Sequence, residues 1–159
     1  MNKPDLVKKI IAKLSESVGL LERAAKASHA EATHESSKAE NKYDTRGLEA
    51  AYLARGQSRQ AKEIVDAIKA YESLPLREFG PRDVIDLTAL VELEVDGATS
   101  SYFIGPKHAG LEIDFAGKEI TVITPQSPLG ENLVGKKAGQ RWAAKVGGST
   151  VKYRIATVA

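Results

Sequence analysis

The chain of 159 residues contains no cysteine, which excludes disulfides and thiolate metal sites. No apolar run approaches the ~18 residues that a membrane span needs, and the first residues lack the uninterrupted apolar core of a signal peptide. Acidic and basic residues nearly balance, at a net charge of +2, so composition gives no strongly basic footprint for nucleic acid. We therefore expect a cytoplasmic protein with no membrane partner.

Two long segments carry the apolar periodicity of amphipathic helices. The first, 5–28, follows Pro4, and its apolar residues recur at intervals of four and three: Val7, Ile11, Leu14, Val18, Leu21 and Ala25. The second runs from Thr45 to Ser73 and ends before Pro75. Because the polar connection between them is short, the two helices must fold back antiparallel. We predict a long antiparallel helical hairpin, or coiled coil, over 1–76, with its tip near 35–44.

The predicted tip is rich in carboxylates and contains the bases Lys42 and Arg46. Glu40 and Asp44 are four residues apart, so they share a face if the second helix begins early. Two carboxylates suit Mg²⁺, a hard cation that keeps several of its waters. The alternative is a solvated helix end, where acidic residues near an N-terminus favour the helix dipole. Composition alone leaves both alternatives open.

The composition changes after Pro81, and short alternating segments replace the helical pattern. Glycine-containing turns separate these segments, which predict five or six strands: Val84–Val95, Ser100–Ile104, two within 110–124, and a last hairpin around Gly147-Gly148. Five or six short strands and one helical turn make a small α+β domain, which we place at 82–159.

The helical turn is predicted at Ser127-Pro128. Serine suits the N-cap of a helix and proline its first position, and Gly135 suits the residue that ends it. The same region, Gly130–Lys137, nearly matches the phosphate-binding motif G-x-x-x-x-G-K-[ST]. Its last residue is Lys where that motif needs a hydroxyl, and Ser-Pro precedes it where a strand should lead in. We therefore expect a capped helical turn there.

The segment that follows Ile120 resembles the C-terminal motif of the Gre-type transcript elongation factors, the GreA/GreB family. The residues that match the motif are Ser127-Pro128, Leu133, Gly135-Lys136 and Gly139. Gly147-Gly148 stands where the family's final turn belongs, and Tyr153-Arg-Ile matches its last strand. The N-terminal hairpin agrees in length and position, so the resemblance covers nearly the whole chain.

The resemblance implies how such a protein meets its partner, bacterial RNA polymerase. The coiled coil, 1–76, enters the secondary channel of the polymerase, and an FKBP-like α+β domain, 82–159, docks at the channel rim. Ser127 and Pro128 match the loop through which the family grips that rim, and Gln126 stands where some members have an acid. The docking residues implied in this way are Gln126, Ser127 and Pro128. We expect a monomer, because the hairpin seam is used in packing its own two arms.

The resemblance also assigns chemistry to the tip. In cleavage-competent members, acids in Asp-x-x-Glu-Asn help hold the second Mg²⁺ at the polymerase active site, where it activates the water that cuts backtracked RNA. Glu40-Asn41 fits this motif, but Ser37 stands at the position of the aspartate and Tyr43 comes one residue early. Either one carboxylate is missing from the tip, or Glu35 or Asp44 replaces it.

The catalytic residues implied in this way are Glu40 and Asp44, and the metal ligands are Glu35, Glu40 and Asp44. We expect no stably bound cofactor. If the protein is cleavage-competent, Mg²⁺ is shared with the polymerase active site, so the protein is expected not to be an enzyme itself. Lys42 and Arg46 are close to the tip, and the resemblance implies that they contact the RNA 3′ end, as basic residues do in relatives. The alternative is a solvated helix face.

Three functions remain open from the sequence. The first is stimulation of RNA cleavage through the tip acids. The second is non-cleaving regulation through the same channel, in the manner of DksA-like proteins, which needs the length of the hairpin but not single acids. The third is an FKBP-like binding module that dimerises through its coiled coil.

Overall fold

The computed structural model describes residues 2–33 and 46–159, without the side chains at 28, 29, 31–33, 46–55 and 57. The chain divides into two compact units, one of Met1–Lys9 with Ala70–Ala159, the sheet unit, and one of Ile10–Lys69, the helical unit. The division into domains at 1–76 and 82–159 stays a prediction, because the units divide within the long helices. No helix in the described ranges has the length and apolarity needed to cross a membrane.

Two long helices occupy the N-terminal half of the chain, α1 from Lys3 to Thr33 and α2 from Arg46 to Glu72. The predicted tip at 35–44 lies almost wholly between them, outside the described residues. The buried apolar residues of α1 are Leu6, Val7, Ile10, Leu14 and Val18. Ile10 is fully buried and Ile11 only half-buried, so the predicted seam was wrong by one residue there. An α-helix continues a stripe in steps of four as readily as three, and Leu6, Ile10, Leu14 and Val18 follow steps of four.

Six strands form one mixed sheet in the order β3-β4-β2-β1-β6-β5. Their bounds in the chain are Leu90–Val95 for β1, Ala98–Ile104 for β2, Glu112–Phe115 for β3, Lys118–Ile123 for β4, Arg141–Val146 for β5 and Ser149–Val158 for β6. The β2–β4 pair is parallel, and the other pairs are antiparallel. A short helix, α3, spans Pro128–Leu133. The α+β class predicted from the sequence is confirmed.

The first strand is shorter than predicted, because it begins at Leu90 and not at Val84. The backbone of Ile85 pairs with the turn after α3, donating to the Lys136 carbonyl and accepting from Gly135 N–H at 2.7 and 2.9 Å. Thr88 then turns the chain at a φ of 74°. The alternation of apolar residues from Val84 therefore reflects packing beside α3, and the strand ladder starts only after this turn.

The sheet is apolar on both faces at the start of β1 and at the ends of β2 and β4. On the face that packs against α3 lie Leu93, Ile104, Ile123 and Ile155, which are buried together with Leu133 of α3. The strands alternate, so the buried residues of the opposite face are Leu90, Phe103, Ile113, Ile120 and Val122. Over β5 and β6 that opposite face carries charged side chains instead.

Lys3 anchors the first turn of α1 within the sheet unit. It is 2% exposed, its Nζ donates to the Arg77 carbonyl, and it lies 4.7 Å from the centre of the Phe79 ring. Burial lowers the pKa of this ammonium. A buried lysine is stable in its charged form only when it is hydrogen-bonded or paired, so the carbonyl and the aromatic face fix the position where the chain enters α1.

Tyr71, near the end of α2, packs against a glycine at the end of β2. The tyrosine is 1% exposed, and its hydroxyl donates to the Lys107 carbonyl at 2.7 Å. A Cβ at Gly105 would lie 2.2 Å from the Tyr71 hydroxyl oxygen and 3.0 Å from Val122 Cγ1. Gly105 is therefore required because the ring passes directly over its backbone.

We predict that Gly105→Ala and Tyr71→Phe destabilise the sheet unit in a coupled way. Gly105→Ala alone should lower the free energy of unfolding by about 2 kcal/mol through overpacking, and Tyr71→Phe alone by about 1 kcal/mol through the lost hydrogen bond. The double variant should lose less than the sum, since the hydroxyl that meets the new methyl is gone. Urea denaturation followed by fluorescence of the single tryptophan, Trp142, measures this. Strictly additive losses would contradict the proposed contact.

Candidate functional site

The loop Gln126–Pro128 connects β4 to α3, and its backbone is set by helix capping. Ser127 has an extended backbone, with φ −68° and ψ 154°, and its side chain accepts a hydrogen bond from Gly130 N–H at 3.2 Å. Pro128 occupies the first turn, where a missing N–H costs nothing. The prediction that Ser127 caps a short helix is confirmed.

The Ser127 hydroxyl makes two hydrogen bonds inside the loop. Besides accepting from Gly130, it donates to the Thr124 carbonyl at 2.7 Å, and Ser127 N–H donates to the same carbonyl at 3.0 Å. The Thr124 carbonyl and the Ser127 hydroxyl therefore join the residues before and after Ser127 into one hydrogen-bonded loop. This side chain shapes the loop and has little hydrogen-bonding capacity left for a partner.

Gly130 is a residue of the site that the sequence reasoning missed. A Cβ at this position would lie 1.8 Å from the Thr124 carbonyl oxygen, so the backbone of α3 approaches the end of β4 more closely than any side chain allows. The available signal was a glycine inside a helical turn, where alanine has the higher helix propensity. The sequence reasoning weighed Gly130 only as part of a phosphate motif.

The far end of α3 is fixed by an apolar anchor and a glycine turn. Leu133 is fully buried in the core of the sheet unit, and Gly135 follows at a φ of 88°, a left-handed conformation that favours glycine. The prediction that Gly135 ends the helical turn is confirmed. With both ends held, α3 presents the Gln126–Pro128 loop as a rigid part of the unit.

The loop displays two side chains to solvent. Gln126 and Pro128 are exposed and Ser127 is half-buried. Glu131 and Asn132, on the adjoining surface of α3, are also exposed, and the Asn132 amide donates to the Pro128 carbonyl at 3.1 Å. The structure thus brings together the three residues predicted for docking, as a pre-shaped surface with an amide and a proline ring at its edge.

The residues predicted for chemistry at the tip are placed differently. Glu35, Glu40, Lys42 and Asp44 lie outside the described residues, and Arg46 is the first residue of α2 but its side chain is not described. Their assignment stays a prediction. Within the described ranges, no group of three histidine, aspartate or glutamate side chains is arranged to hold a metal ion.

Ion pairs organise the charged face of the sheet. The Arg154 guanidinium donates twice to the Glu94 carboxylate, at 2.8 and 2.6 Å, and lowers the pKa of Glu94. The same pair raises the pKa of Arg154. Further along β1, the Lys118 ammonium donates to Glu92 and lowers the pKa of that carboxyl too. Both acids therefore remain ionised to lower pH than a free glutamate.

Comparisons with known proteins find similar solved structures at low identity. No family model and no curated protein matches it. Among solved structures it is similar to the transcription factor Gfh1, with 21% identity, 96% of this chain and 92% of that chain covered, and a TM-score of 0.39. A structure of GreA factor homolog 1 from Thermus thermophilus gives 22% identity, 96% and 94% coverage, and a TM-score of 0.37.

A third similar structure is a transcription elongation factor GreA/GreB from Nitrosomonas europaea, with 22% identity, 60% of this chain and 78% of that chain covered, and a TM-score of 0.34. These proteins are Gre-type factors or a GreA homologue by name, the kind that the C-terminal motif resembles. Because the TM-scores are low, the alignments carry no argument about activity, and the FKBP-like character of the sheet unit stays a prediction.

We predict that Gly130→Ala destabilises the sheet unit by about 3 kcal/mol, because the new methyl group meets a backbone carbonyl that has no room to move. Gly80→Ala is the matched control: it lies in the same unit, and its Cβ would lie 3.6 Å from the nearest atom, an ordinary contact. The control should change stability by less than about 0.5 kcal/mol. Trp142 fluorescence during urea denaturation reports both, and equal effects would contradict the close approach.

We predict that the Glu94–Arg154 pair makes stability depend on pH. The pKa of Glu94 is lower in the folded state, so the pair contributes stability above the unfolded pKa and loses it as pH falls through the folded pKa. Glu94→Gln should therefore lower the melting temperature near neutral pH, with the difference from the parent shrinking in strong acid. Melting curves at a series of pH values test this, and a constant difference would contradict it.

Proposed function

We propose that this protein is a transcription factor of the Gre type, which binds bacterial RNA polymerase and modulates elongation from the secondary channel. The observation that carries the proposal is the Gln126–Pro128 loop, which matches the family's docking motif and is an exposed, internally braced structure. A loop whose shape is fixed before binding loses little conformational entropy when it binds.

The three loop residues have different parts in this proposal. Gln126 and Pro128 are exposed and provide the surface that meets the rim of the channel. Ser127 directs its hydroxyl to Thr124 and Gly130, so it holds the loop in the docking conformation. The match of Ser127 to the family motif then reflects loop shape more than direct contact.

The long helices supply the part that enters the channel. Helix α1 has 31 residues, which at 1.5 Å per residue is roughly 46 Å. Its last turns and the start of α2 bracket 34–45, the segment with the tip acids. We propose that this segment is carried to the polymerase active site and that the protein works in the cytoplasm as a monomer.

At the tip we propose that Glu40, with Glu35 or Asp44, provides carboxylate ligands. These acids would hold Mg²⁺ jointly with the polymerase, and the ion would activate the water that cleaves backtracked RNA. Lys42 and Arg46 would meet the RNA 3′ end. The protein lends ligands to the reaction, and the polymerase carries it out.

Docking is tested by the affinity for purified bacterial RNA polymerase. Replacing Gln126 and Pro128 together by alanine should weaken binding by about ten-fold, the loss expected for two contact residues in a small interface. Lys107→Ala, at an exposed loop position of the same unit, is the matched control and should bind as the parent does. If the parent does not bind the polymerase, the proposed function is wrong. Unchanged affinity in the double variant would reject only the docking loop.

Cleavage is tested with a stalled, backtracked polymerase complex. The protein should shorten the transcript from its 3′ end in the presence of Mg²⁺, and Glu40→Ala should abolish this. Asp44→Ala and Glu35→Ala identify the second ligand. Glu63→Ala, which removes an exposed carboxylate on α2 outside the tip, is the matched control and should leave cleavage unchanged.

The second candidate function is regulation without cleavage, and Ser37 at the position of the family's aspartate favours it. The result that identifies it is tight binding to the polymerase with no shortening of the transcript. A stable dimer in sedimentation, without affinity for polymerase, would instead support the FKBP-like module that dimerises through its coiled coil.

A further inference from the structure

Strand β5 is the last strand of the sheet, and the ladder shows which of its backbone groups face outward. Ile155 N–H donates to the Gln140 carbonyl at 2.9 Å, so this pair is hydrogen-bonded. In antiparallel sheets hydrogen-bonded pairs alternate with non-bonded pairs. Counting from Gln140 along the register, Trp142, Ala144 and Val146 bond to β6. The N–H and C=O groups of Arg141, Ala143 and Lys145 therefore point away from the sheet.

The turn between β5 and β6 supports this assignment of the outward-facing backbone groups of β5. Val146 pairs with Ser149 across the two residues Gly147 and Gly148, whose φ values of 58° and 82° are both positive. Such two-residue turns are flanked by a hydrogen-bonded pair. Two independent observations thus leave β5 with a row of outward backbone groups at alternate residues.

The side chains of the same alternate residues lie on one face of the sheet. Trp142 and Tyr153 stack on each other with ring centres 4.9 Å apart and pack toward the core. By alternation, Arg141, Ala143 and Lys145 lie on the opposite face, and all three are exposed. The backbone groups and the cations thus belong to the same residues.

This face has an excess of positive charge. A cleft of about 530 Å³, here called the β5 cleft, lies beside β1, β5 and β6. The charged residues that line it are Glu94, Asp96, Arg141, Lys152 and Arg154, and its uncharged lining residues are Gly97, Trp142, Ala143 and Tyr153. Glu94 is bound by Arg154, and the Asp96 carboxylate accepts the backbone N–H of Lys152 at 2.9 Å. Two carboxylates thus meet four cations when Lys145, beside the cleft on β5, is included.

We propose that the β5 edge and the β5 cleft together bind an extended, acidic polypeptide segment by strand addition. In an added strand, the residues opposite Arg141, Ala143 and Lys145 form the hydrogen-bonded pairs, and their side chains lie on the cationic face. The segment places acidic residues four apart against Arg141 and Lys145, with the residue between them above the small Ala143. This surface is separate from the Gln126–Pro128 loop and does not depend on the proposed function.

The charges at the β5 edge favour an acidic polypeptide over a second copy of this chain, and the chemistry of the edge and the cleft favours it over single-stranded nucleic acid. A second copy of the chain pairing antiparallel through β5 would set Arg141 opposite Lys145, and like charges directly opposite are destabilising. Single-stranded nucleic acid binds to grooves with aromatic rings on which bases stack, whereas the rings of Trp142 and Tyr153, which line the cleft, stack on each other. A phosphodiester backbone also has no amide groups to pair with the N–H and C=O groups of the β5 edge. An acidic strand can form hydrogen bonds with the outward backbone groups of β5 and ion pairs with the cations.

The first experiment is an NMR titration of the full chain with a blocked heptapeptide of alternating Thr and Glu, which puts every carboxylate on one face of the strand. We expect the largest amide shifts at Arg141, Ala143 and Lys145, and no such shifts with the matching Thr–Gln peptide. Arg141→Glu should weaken binding by about ten-fold or more. Lys107→Glu, the same charge reversal at an exposed site of the sheet unit, should leave it unchanged.

A second peptide separates strand addition from simple charge attraction. The same heptapeptide with N-methyl groups on the amides that would face β5 keeps its charges but loses the donors of the ladder, and it should not bind. Equal binding of the methylated or the Thr–Gln peptide would overturn the proposal, as would equal effects of the Arg141 and Lys107 reversals. An oligouridine that binds at these amides while the acidic peptide does not would overturn it in favour of nucleic acid.

Discussion

The uneven cover of the six-stranded sheet is the constraint on which the rest of the sheet unit depends. Both faces are apolar at the start of β1 and at the ends of β2 and β4, and a part of a sheet that is apolar on both faces must be covered on both. On one side α3 provides this cover through Leu133. On the other, Tyr71 packs at Gly105, and Lys9 reaches the Asp114 carbonyl and the ring of Phe115.

That constraint explains why the two ends of the helical segment belong to the sheet unit. The first turns of α1 and the last residues of α2 carry the side chains that the sheet needs, namely Lys3, Leu6 and Tyr71. Burial of a tyrosine or leucine side chain contributes about 2 kcal/mol, which favours keeping these helix ends with the sheet. The helices and the sheet can therefore have different functions even though the helix ends pack with the sheet.

The same unevenness produces two kinds of surface. Where α3 covers the sheet, the capped loop before it becomes rigid, since Thr124 and Gly130 approach each other without an intervening side chain. On the face of β5 and β6 that lies opposite α3, charged residues and an open strand edge remain. The exposed lysine and arginine there also oppose aggregation through the edge, because like charges repel a second copy.

Prediction from the sequence worked best where the signal is local. The capped turn at Ser127-Pro128, its end at Gly135 and the hairpin at Gly147-Gly148 follow from residues a few positions apart, and the structure has all three. It failed at Val84, where alternation predicts a strand but the backbone pairs with the turn after α3. That pairing links residues some fifty positions apart, and no local pattern reports it.

The sequence by itself determined the two long helices, the turns, the strands other than the start of the first one, the capped loop and the family that its motif resembles. Propensity, capping and periodicity act over one or two turns of chain, which is why these features could be predicted. Only the tertiary structure decided that β6 lies between β1 and β5, that β5 is an edge, and that Gly130 and Gly105 are positions of close approach. Strand order and close packing depend on contacts between residues that are far apart in the chain. The free energy of such a contact depends on which residues surround it, and a local sequence pattern does not show this.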